Sequence, residues 1–163
     1  MAAALWGTVI GALTGSIPTN MFGRKNTLIG IGILFFVSAI GSALVSDPYP
    51  FVFFRFIGGL GVGASTIAAP AYISEIAPAN SRGRLVAMYQ LSIVAGILIA
   101  FLSNYALNGT GDQAWRWMLG VEALPAIFYF FALLFVPESP RWLVMRGRTR
   151  DALDIMEQVS GPE

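Results

Sequence analysis

The sequence predicts an all-α membrane protein with five transmembrane helices and a short amphipathic helix on the cytoplasmic side. Of its 163 residues, 56% are hydrophobic and only 12% are charged, with a mean hydropathy of +0.69, whereas a soluble domain carries about 25% charged residues. The apolar residues form five runs of a length suited to a bilayer core of about 30 Å. We therefore expect a multi-pass protein of the cell (inner or plasma) membrane.

The first two runs, residues 1–17 and 27–45, are predicted to be transmembrane helices joined by a short polar link at residues 18–26. The first run carries glycines at four-residue spacing, which leaves one helix face clear for close packing. These helix-packing glycines are Gly7, Gly11 and Gly15.

The third run, residues 49–77, contains an arginine within a stretch otherwise suited to lipid. Arg55 costs about 3 kcal/mol or more at membrane depth unless it is paired or hydrated, so it indicates a polar pathway. Gly59 and Gly63 allow a neighbouring helix to come close, and Glu75 marks the return to water.

The remaining runs are residues 85–107 and 115–136, followed by an amphipathic segment at residues 149–159. Tryptophans at 115 and 117 are typical interfacial anchors, and the motif PESPR ends the fifth run. In the last segment Leu153, Met156 and Val159 fall near one helix face, so we expect a helix lying at the membrane surface.

Basic residues determine the predicted orientation. Apart from Arg55, all arginines and lysines lie in the links or at the end of a predicted span. An alternating topology places all but one of these residues on the same side, which is the cytoplasm by the positive-inside rule. These residues are Arg24, Lys25, Arg82, Arg84, Arg141, Arg146, Arg148 and Arg150, whereas Arg116 lies on the outer side.

Several classes of chemistry are excluded by composition. The sequence has no cysteine and no histidine, so disulfides, thiolate chemistry and the usual metal ligands are absent, and proton transfer would depend on carboxylates. We expect no metal and no cofactor. The glycines near Gly59 lie inside an apolar helix without a preceding strand, so they do not form a nucleotide-binding loop, and we expect no nucleic-acid partner.

Five motifs, in order, give the chain a family resemblance. RFIGGLGVG, PAYISEIAPANSRGRL, QLSIVAGILIA, WRWMLG and PESPRWL resemble the sugar porters of the major facilitator superfamily, with the strongest likeness to bacterial xylose/proton symporters and a more distant one to mammalian glucose facilitators. The resemblance implies that residues 1–140 are helices II to VI of the N-terminal six-helix bundle and residues 141–163 begin the cytoplasmic helical linker. Helix I and the C-terminal half of a twelve-helix transporter would then be missing partners.

The resemblance also assigns roles to polar residues within the bundle. Arg55 matches a fourth-helix arginine that lies beside a first-helix aspartate in the proton symporters. Gln90 matches a fifth-helix glutamine that hydrogen-bonds sugar hydroxyls, although an amide here could equally join helices. Some bacterial members have a second sugar-contacting glutamine seven residues later, but this sequence has Ile97 there and in this respect resembles the facilitators.

Arg55 and Glu122 are the charged residues well inside predicted spans. Counting about 1.5 Å of rise per residue from the outer helix ends places both about 9 Å deep, so they could share one level. Two interpretations stay open: a proton-coupling cluster, and a structural ion pair between two helices.

A second charged set lies on the cytoplasmic side. It resembles the network that in the family latches the two halves when the inner gate is shut, the alternative being plain positive-inside anchoring. Its members are Arg24, Glu75, Arg82, Glu138 and Arg141. Ser16, Asn20 and Met21 replace three residues of the usual superfamily motif in the first link, which weakens that part of the network.

Together these features predict a fragment of a monosaccharide/proton symporter, for xylose- or glucose-like sugars, that works by alternating access. Three alternatives are a sugar or polyol facilitator without proton coupling, a membrane-embedded enzyme, and a non-transporting scaffold. Glu122 argues weakly against the facilitator, no paired catalytic groups support an enzyme, and the polar residues in the spans would be costly in a scaffold.

Overall fold

A computed structural model describes residues 2–78, 80–109, 111 and 113–160; for Val159 and Ser160 it describes the backbone but not the side chains. These residues form helices and connecting turns, and no strand occurs among them. The helices are α1 Ala2–Thr14, α2 Ser16–Phe22, α3 Arg24–Leu44, α4 Pro48–Ile76, α5 Arg82–Leu107, α6 Ala114–Val121, α7 Ala123–Phe135, α8 Pro140–Met145 and α9 Thr149–Ser160. The predicted all-α membrane fold is confirmed. The side chain of Val159, expected on an apolar face, lies outside the described residues.

Four helical stretches are long and apolar enough to cross a bilayer: Arg24–Leu44, Pro48–Ile76, Arg82–Leu107 and Ala114–Phe135. The helix α1 is apolar but shorter, with 13 residues. It is extended by α2, so the count of five predicted spans is approximate.

The predicted polar link at residues 18–26 was wrong. The helix α2 continues almost directly from α1, since the Gly15 amide donates to the Gly11 carbonyl at 2.8 Å and the Thr19 amide donates to the Gly15 carbonyl at 3.4 Å. Pro18 falls in the first turn of α2, where the missing N–H would have had no helical partner. The true link is Gly23, whose φ of 97° favours glycine.

The fifth predicted span is one apolar stretch, Ala114–Phe135, in which the helix is interrupted at Glu122 between α6 and α7. Pro125 explains the break, because its ring lacks an N–H and clashes with the carbonyl one turn earlier. The helix α8, which the sequence reasoning missed, begins inside PESPR. Ser139 caps it by accepting a hydrogen bond from the Trp142 amide at 3.3 Å, and Pro140 takes the first helical position.

The glycines of α1 pack directly against the backbone of α4. A Cβ atom at Gly11 would lie 3.0 Å from the Leu60 Cα, and one at Gly63 would lie 2.5 Å from the Ala12 amide nitrogen. Contacts this close are possible because these positions lack side chains. Gly7, Gly15 and Gly59 are equally crowded by the opposing helix.

The core lies where α3, α4 and α7 meet. It is formed by Leu28, Ile31, Ala68, Tyr72 and Leu133. The helix α5 is different, because it buries no residue and packs mainly on α4 and α6. Its long apolar surface is exposed, as expected for a helix that faces lipid or further protein.

Candidate functional site

Arg55 of α4 and Glu122 at the α6–α7 break meet inside the bundle. The Arg55 Nη1 atom donates to Glu122 Oε2 at 3.4 Å, and the two side chains are 26% and 52% exposed. The buried Nη2 atom of Arg55 has no hydrogen-bond partner among the described residues. The guanidinium therefore retains capacity for another acceptor.

This pair borders a cavity of about 390 Å³, within the range of small-molecule sites, which is about 300–1,000 Å³. The cavity is partly open and is lined by α1, α3, α4 and the α6–α7 segment, and its wall is mostly apolar. Its polar members are Thr8, Ser38, Arg55, Glu122 and Tyr129. A few polar groups converging on an apolar cavity can orient a hydroxyl-bearing ligand or bind a proton.

The chemistry of the cavity is that of a charged pair and hydroxyl groups. Among the residues that the structure describes, no cluster of three or more metal-ligating side chains occurs. A guanidinium and a carboxylate in a partly enclosed apolar setting interact more strongly than in water. Protonating the carboxylate would therefore change the interactions of Arg55.

Gln90 does not lie at this cavity. It is exposed on α5, outside the cavity wall, and makes no hydrogen bond with another described residue. Ile97, two turns later on the same helix, is 54% exposed. The structure therefore separates Gln90 from the Arg55–Glu122 pair.

At the predicted cytoplasmic end, Arg24 and Glu75 form a buried ion pair between α3 and α4. The Arg24 Nη2 atom donates to Glu75 Oε1 at 2.9 Å, and its Nε atom lies 2.8 Å from Oε2. Their side chains are only 9% and 8% exposed. Ser139 completes the group, because its hydroxyl donates to Glu75 Oε2 at 2.5 Å.

Glu138 binds backbone amides rather than an arginine. Its Oε1 atom accepts from the amides of Lys25 and Ser139, both at 2.9 Å. It therefore ties the start of α3 to the segment before α8. A side chain at Gly23 would collide with the Glu138 carboxylate, so glycine is required there both for its φ and for space.

Side chains of α8 and the following turn secure the end of α2. The Trp142 Nε1 atom donates to the Asn20 carbonyl at 3.0 Å, and an Arg146 guanidinium nitrogen donates to the Met21 carbonyl at 2.6 Å. These contacts satisfy carbonyls at a helix end, which otherwise have no helical partner.

Sequence reasoning missed Ser139, Trp142 and Arg146 as members of this network. Ser139 was visible inside PESPR at an N-cap position before proline, which is a recognisable signal. Arg82 and Arg141, which were expected in the network, are exposed and form no ion pair with a described residue. The predicted set is thus brought together only at Arg24, Glu75 and Glu138.

Comparison with known proteins places this geometry in context. The family model described as sugar (and other) transporter matches residues 1–163. The chain is 41% identical to a glucose transport protein of Synechocystis, covering 99% of this chain and 37% of the relative. It is 38% identical to the major myo-inositol transporter of Bacillus subtilis, covering 97% and 34%, and 37% identical to the D-xylose-proton symporter of Escherichia coli, covering 99% and 38%.

A solved structure agrees with these relatives. The xylose transporter XylE from E. coli, in a partially occluded inward open conformation, superimposes with a TM-score of 0.92 at 38% identity, covering 98% of this chain and 43% of that one. The chain spans little more than a third of the length of the curated relatives it matches. The predicted resemblance is confirmed: the chain belongs to the sugar transporter family of the major facilitator superfamily.

Proposed function

We propose that this chain is part of the N-terminal half of a monosaccharide/proton symporter that works by alternating access. In this proposal residues 1–140 supply helices II to VI and residues 141–163 begin the cytoplasmic linker. The share of each relative that is covered, 34–38% in the three proteins compared, supports a longer transporter with a second half. The observation that carries the proposal is the Arg55–Glu122 pair at a cavity within an apolar bundle.

The geometry of the pair favours proton coupling over a purely structural bridge. A strong charge-assisted hydrogen bond is about 2.7–2.9 Å long, whereas this one is 3.4 Å and leaves Arg55 Nη2 without a partner among the described residues. A cation beside a carboxylate favours its charged form, so protonating Glu122 would weaken this contact and free Arg55 for another acceptor. Arg55 would then respond to the protonation state of Glu122.

The proposed substrate is a monosaccharide of the xylose or glucose type. The relatives' names include glucose, xylose and myo-inositol, all of which are compact polyhydroxylated molecules. Gln90 is the proposed sugar contact, because an exposed amide on an otherwise apolar helix offers both donors and an acceptor. In an alternating-access transporter the substrate binds between two halves, so an exposed face of α5 is compatible with this role.

The cytoplasmic charged set is the proposed gating network. Arg24, Glu75 and Glu138 connect α2, α3, α4 and the residue that caps α8. Arg82 and Arg141 are exposed and have no ion pair among the described residues, so they remain available to the opposite half. Pairs formed and broken there would bias the equilibrium between two transporter states.

The alternative is a sugar or polyol facilitator without proton coupling. The residue that favours it is Ile97, where some bacterial symporters are expected to have a second glutamine. In that case the Arg55–Glu122 pair would be a bridge between helices.

Uptake by proteoliposomes tests the proposal. The full-length transporter that contains this segment is reconstituted, and accumulation of labelled xylose, glucose and myo-inositol is measured with and without an inward proton gradient. We expect accumulation only with the gradient, and equilibration regardless of the gradient would support the facilitator.

A point substitution tests the sugar contact. We expect Gln90→Ala to raise the KM about tenfold, which corresponds to losing one or two hydrogen bonds of about 1 kcal/mol each. Ser92→Ala is the matched control, because Ser92 lies on the same exposed helix and its hydroxyl donates to the Met88 carbonyl of that helix. Equal effects of the two substitutions would contradict a sugar contact at Gln90.

A further inference from the structure

We infer that Phe51 and Trp115 form an aromatic clamp that positions the Arg55 guanidinium toward Glu122. Phe51 lies on α4 and Trp115 on α6. The inference rests on the proposed proton coupling, because it gives the two aromatic residues a role in keeping that pair together.

The two rings of the clamp lie between two arginine side chains, so that four side chains follow one another in contact. The Phe51 and Trp115 rings meet edge to face, with centroids 6.2 Å apart and an interplanar angle of 79°. The Arg55 Cζ atom lies 5.8 Å from the Phe51 centroid, and the Arg116 Cζ atom lies 5.0 Å from the Trp115 centroid. Both distances are within the range of cation–π attraction.

The outer end of the stack is anchored in the turn between α3 and α4. An Nη2 atom of Arg116 donates to the Ser46 hydroxyl at 2.6 Å. Trp115 is therefore held between Arg116 and Phe51, and the outer ends of α4 and α6 are joined. These are the two helices that carry Arg55 and lead to Glu122, so the clamp sets the distance between the charges.

Arg55 needs such a restraint. It lies seven residues after Pro48, which is about 10 Å from the outer end of α4, and a long arginine side chain can extend toward the interface at that depth. Phe51 is one turn closer to the outer surface on the same helix face. Its ring lies against Trp115 of α6, so a guanidinium held over that ring stays on the side of α4 that faces α6 and Glu122.

The charged surroundings of Glu122 are simple. Among the described residues that line the cavity, α4 contributes Arg55 and α7 contributes the titratable Tyr129, whereas α1 and α3 contribute only Ala4, Thr8, Phe35 and Ser38. Arg55 is thus the cation whose position controls the field at the carboxylate. A carboxylate binds a proton more readily when a neighbouring cation moves away.

The first test is the pH dependence of gradient-driven sugar uptake by the reconstituted full-length transporter. We expect Phe51→Leu to shift the midpoint of this profile upward by at most about half a pH unit, the limit reached when the whole cation–π energy is lost from the Arg55–Glu122 interaction. Phe51→Tyr, which keeps an aromatic ring at this position, should give the same pH profile as the parent. Phe53→Leu is the matched control, since Phe53 is 60% exposed on the same turn and contacts Phe54 rather than a cation.

The clamp is overturned if Phe51→Leu and Phe53→Leu give the same pH profile, or if the profile of Phe51→Tyr differs from that of the parent. A double-mutant cycle on the melting temperature gives a readout independent of transport. Phe51→Leu should lower the melting temperature clearly less in an Arg55→Met background than in the parent. Additive effects of the two substitutions on the melting temperature would overturn the clamp. If the effects were non-additive but sugar uptake did not depend on the proton gradient, only the proposed proton coupling would be overturned.

Discussion

Removing the negative charge of Glu75 should destabilise the cytoplasmic end of the bundle severely. In Glu75→Gln, Arg24 would keep its charge while only 9% exposed, with no carboxylate beside it, and Ser139 would lose a strong acceptor. Breaking one side of a buried ion pair costs about 3–5 kcal/mol. For a protein of this size that corresponds to a melting temperature lower by roughly 6–20 °C, measured on purified protein in detergent.

The matched control is the exposed ion pair of α9. Arg148 and Asp151 approach to 2.6 Å, but their side chains are 61% and 47% exposed, and such pairs contribute less than about 1 kcal/mol. We expect Asp151→Asn to lower the melting temperature by no more than about 4 °C. If the two substitutions had equal effects, the reasoning from burial would be refuted.

Three further substitutions, two of them with a control, test the local geometry by melting temperature. Gly63→Ala should lower the stability of the fold because its Cβ would collide with the α1 backbone. The control Gly96→Ala, in open space, should be neutral or stabilising by up to about 1 kcal/mol. If both substitutions changed the stability in the same direction, the close packing at Gly63 would be contradicted. Gly23→Ala should cost about 1–3 kcal/mol through its positive φ, and an unchanged value would count against that backbone geometry. Tyr72→Phe should cost about 1 kcal/mol by losing the partly buried 2.7 Å hydrogen bond to the Pro137 carbonyl, whereas Tyr105→Phe, at an 83% exposed residue, should cost nothing measurable. Equal losses would show that the Tyr72 hydrogen bond does not stabilise the fold.

The spans could be predicted from sequence because lipid selects long apolar runs whatever their tertiary contacts. The sequence also indicated that Arg55 and Glu122 could share one level, since a helix converts residue number directly into depth, but it did not show that they are in contact. The glycine spacing in the first run likewise indicated a close helix contact, although not which helix would provide it.

Helix ends could not be predicted as well. Polar residues at 18–26 suggested a link, yet they form helix on both sides of Gly23, because a helix can leave the membrane without ending. The break at Glu122 depends on where Pro125 falls within its turn, and proline in an apolar run does not by itself show whether a helix kinks or stops.

The cytoplasmic network shows a further limit. Charge identified Arg24, Glu75 and Glu138, but Glu138 binds backbone amides instead of an arginine. A backbone partner has no residue type and leaves no pattern in the sequence. Gln90 illustrates the same limit, because its exposure depends on how α5 packs rather than on its neighbours in the chain.

The proposed role of the Arg55–Glu122 pair is tested most directly by sugar uptake against pH in the full-length transporter, comparing Glu122→Gln with the parent. If Glu122 binds the coupled proton, the variant should lose accumulation driven by the proton gradient and its uptake should become nearly independent of pH, while exchange of sugar across the membrane continues. An unchanged pH profile with full gradient-driven accumulation would contradict the coupling role and leave the pair as a structural bridge.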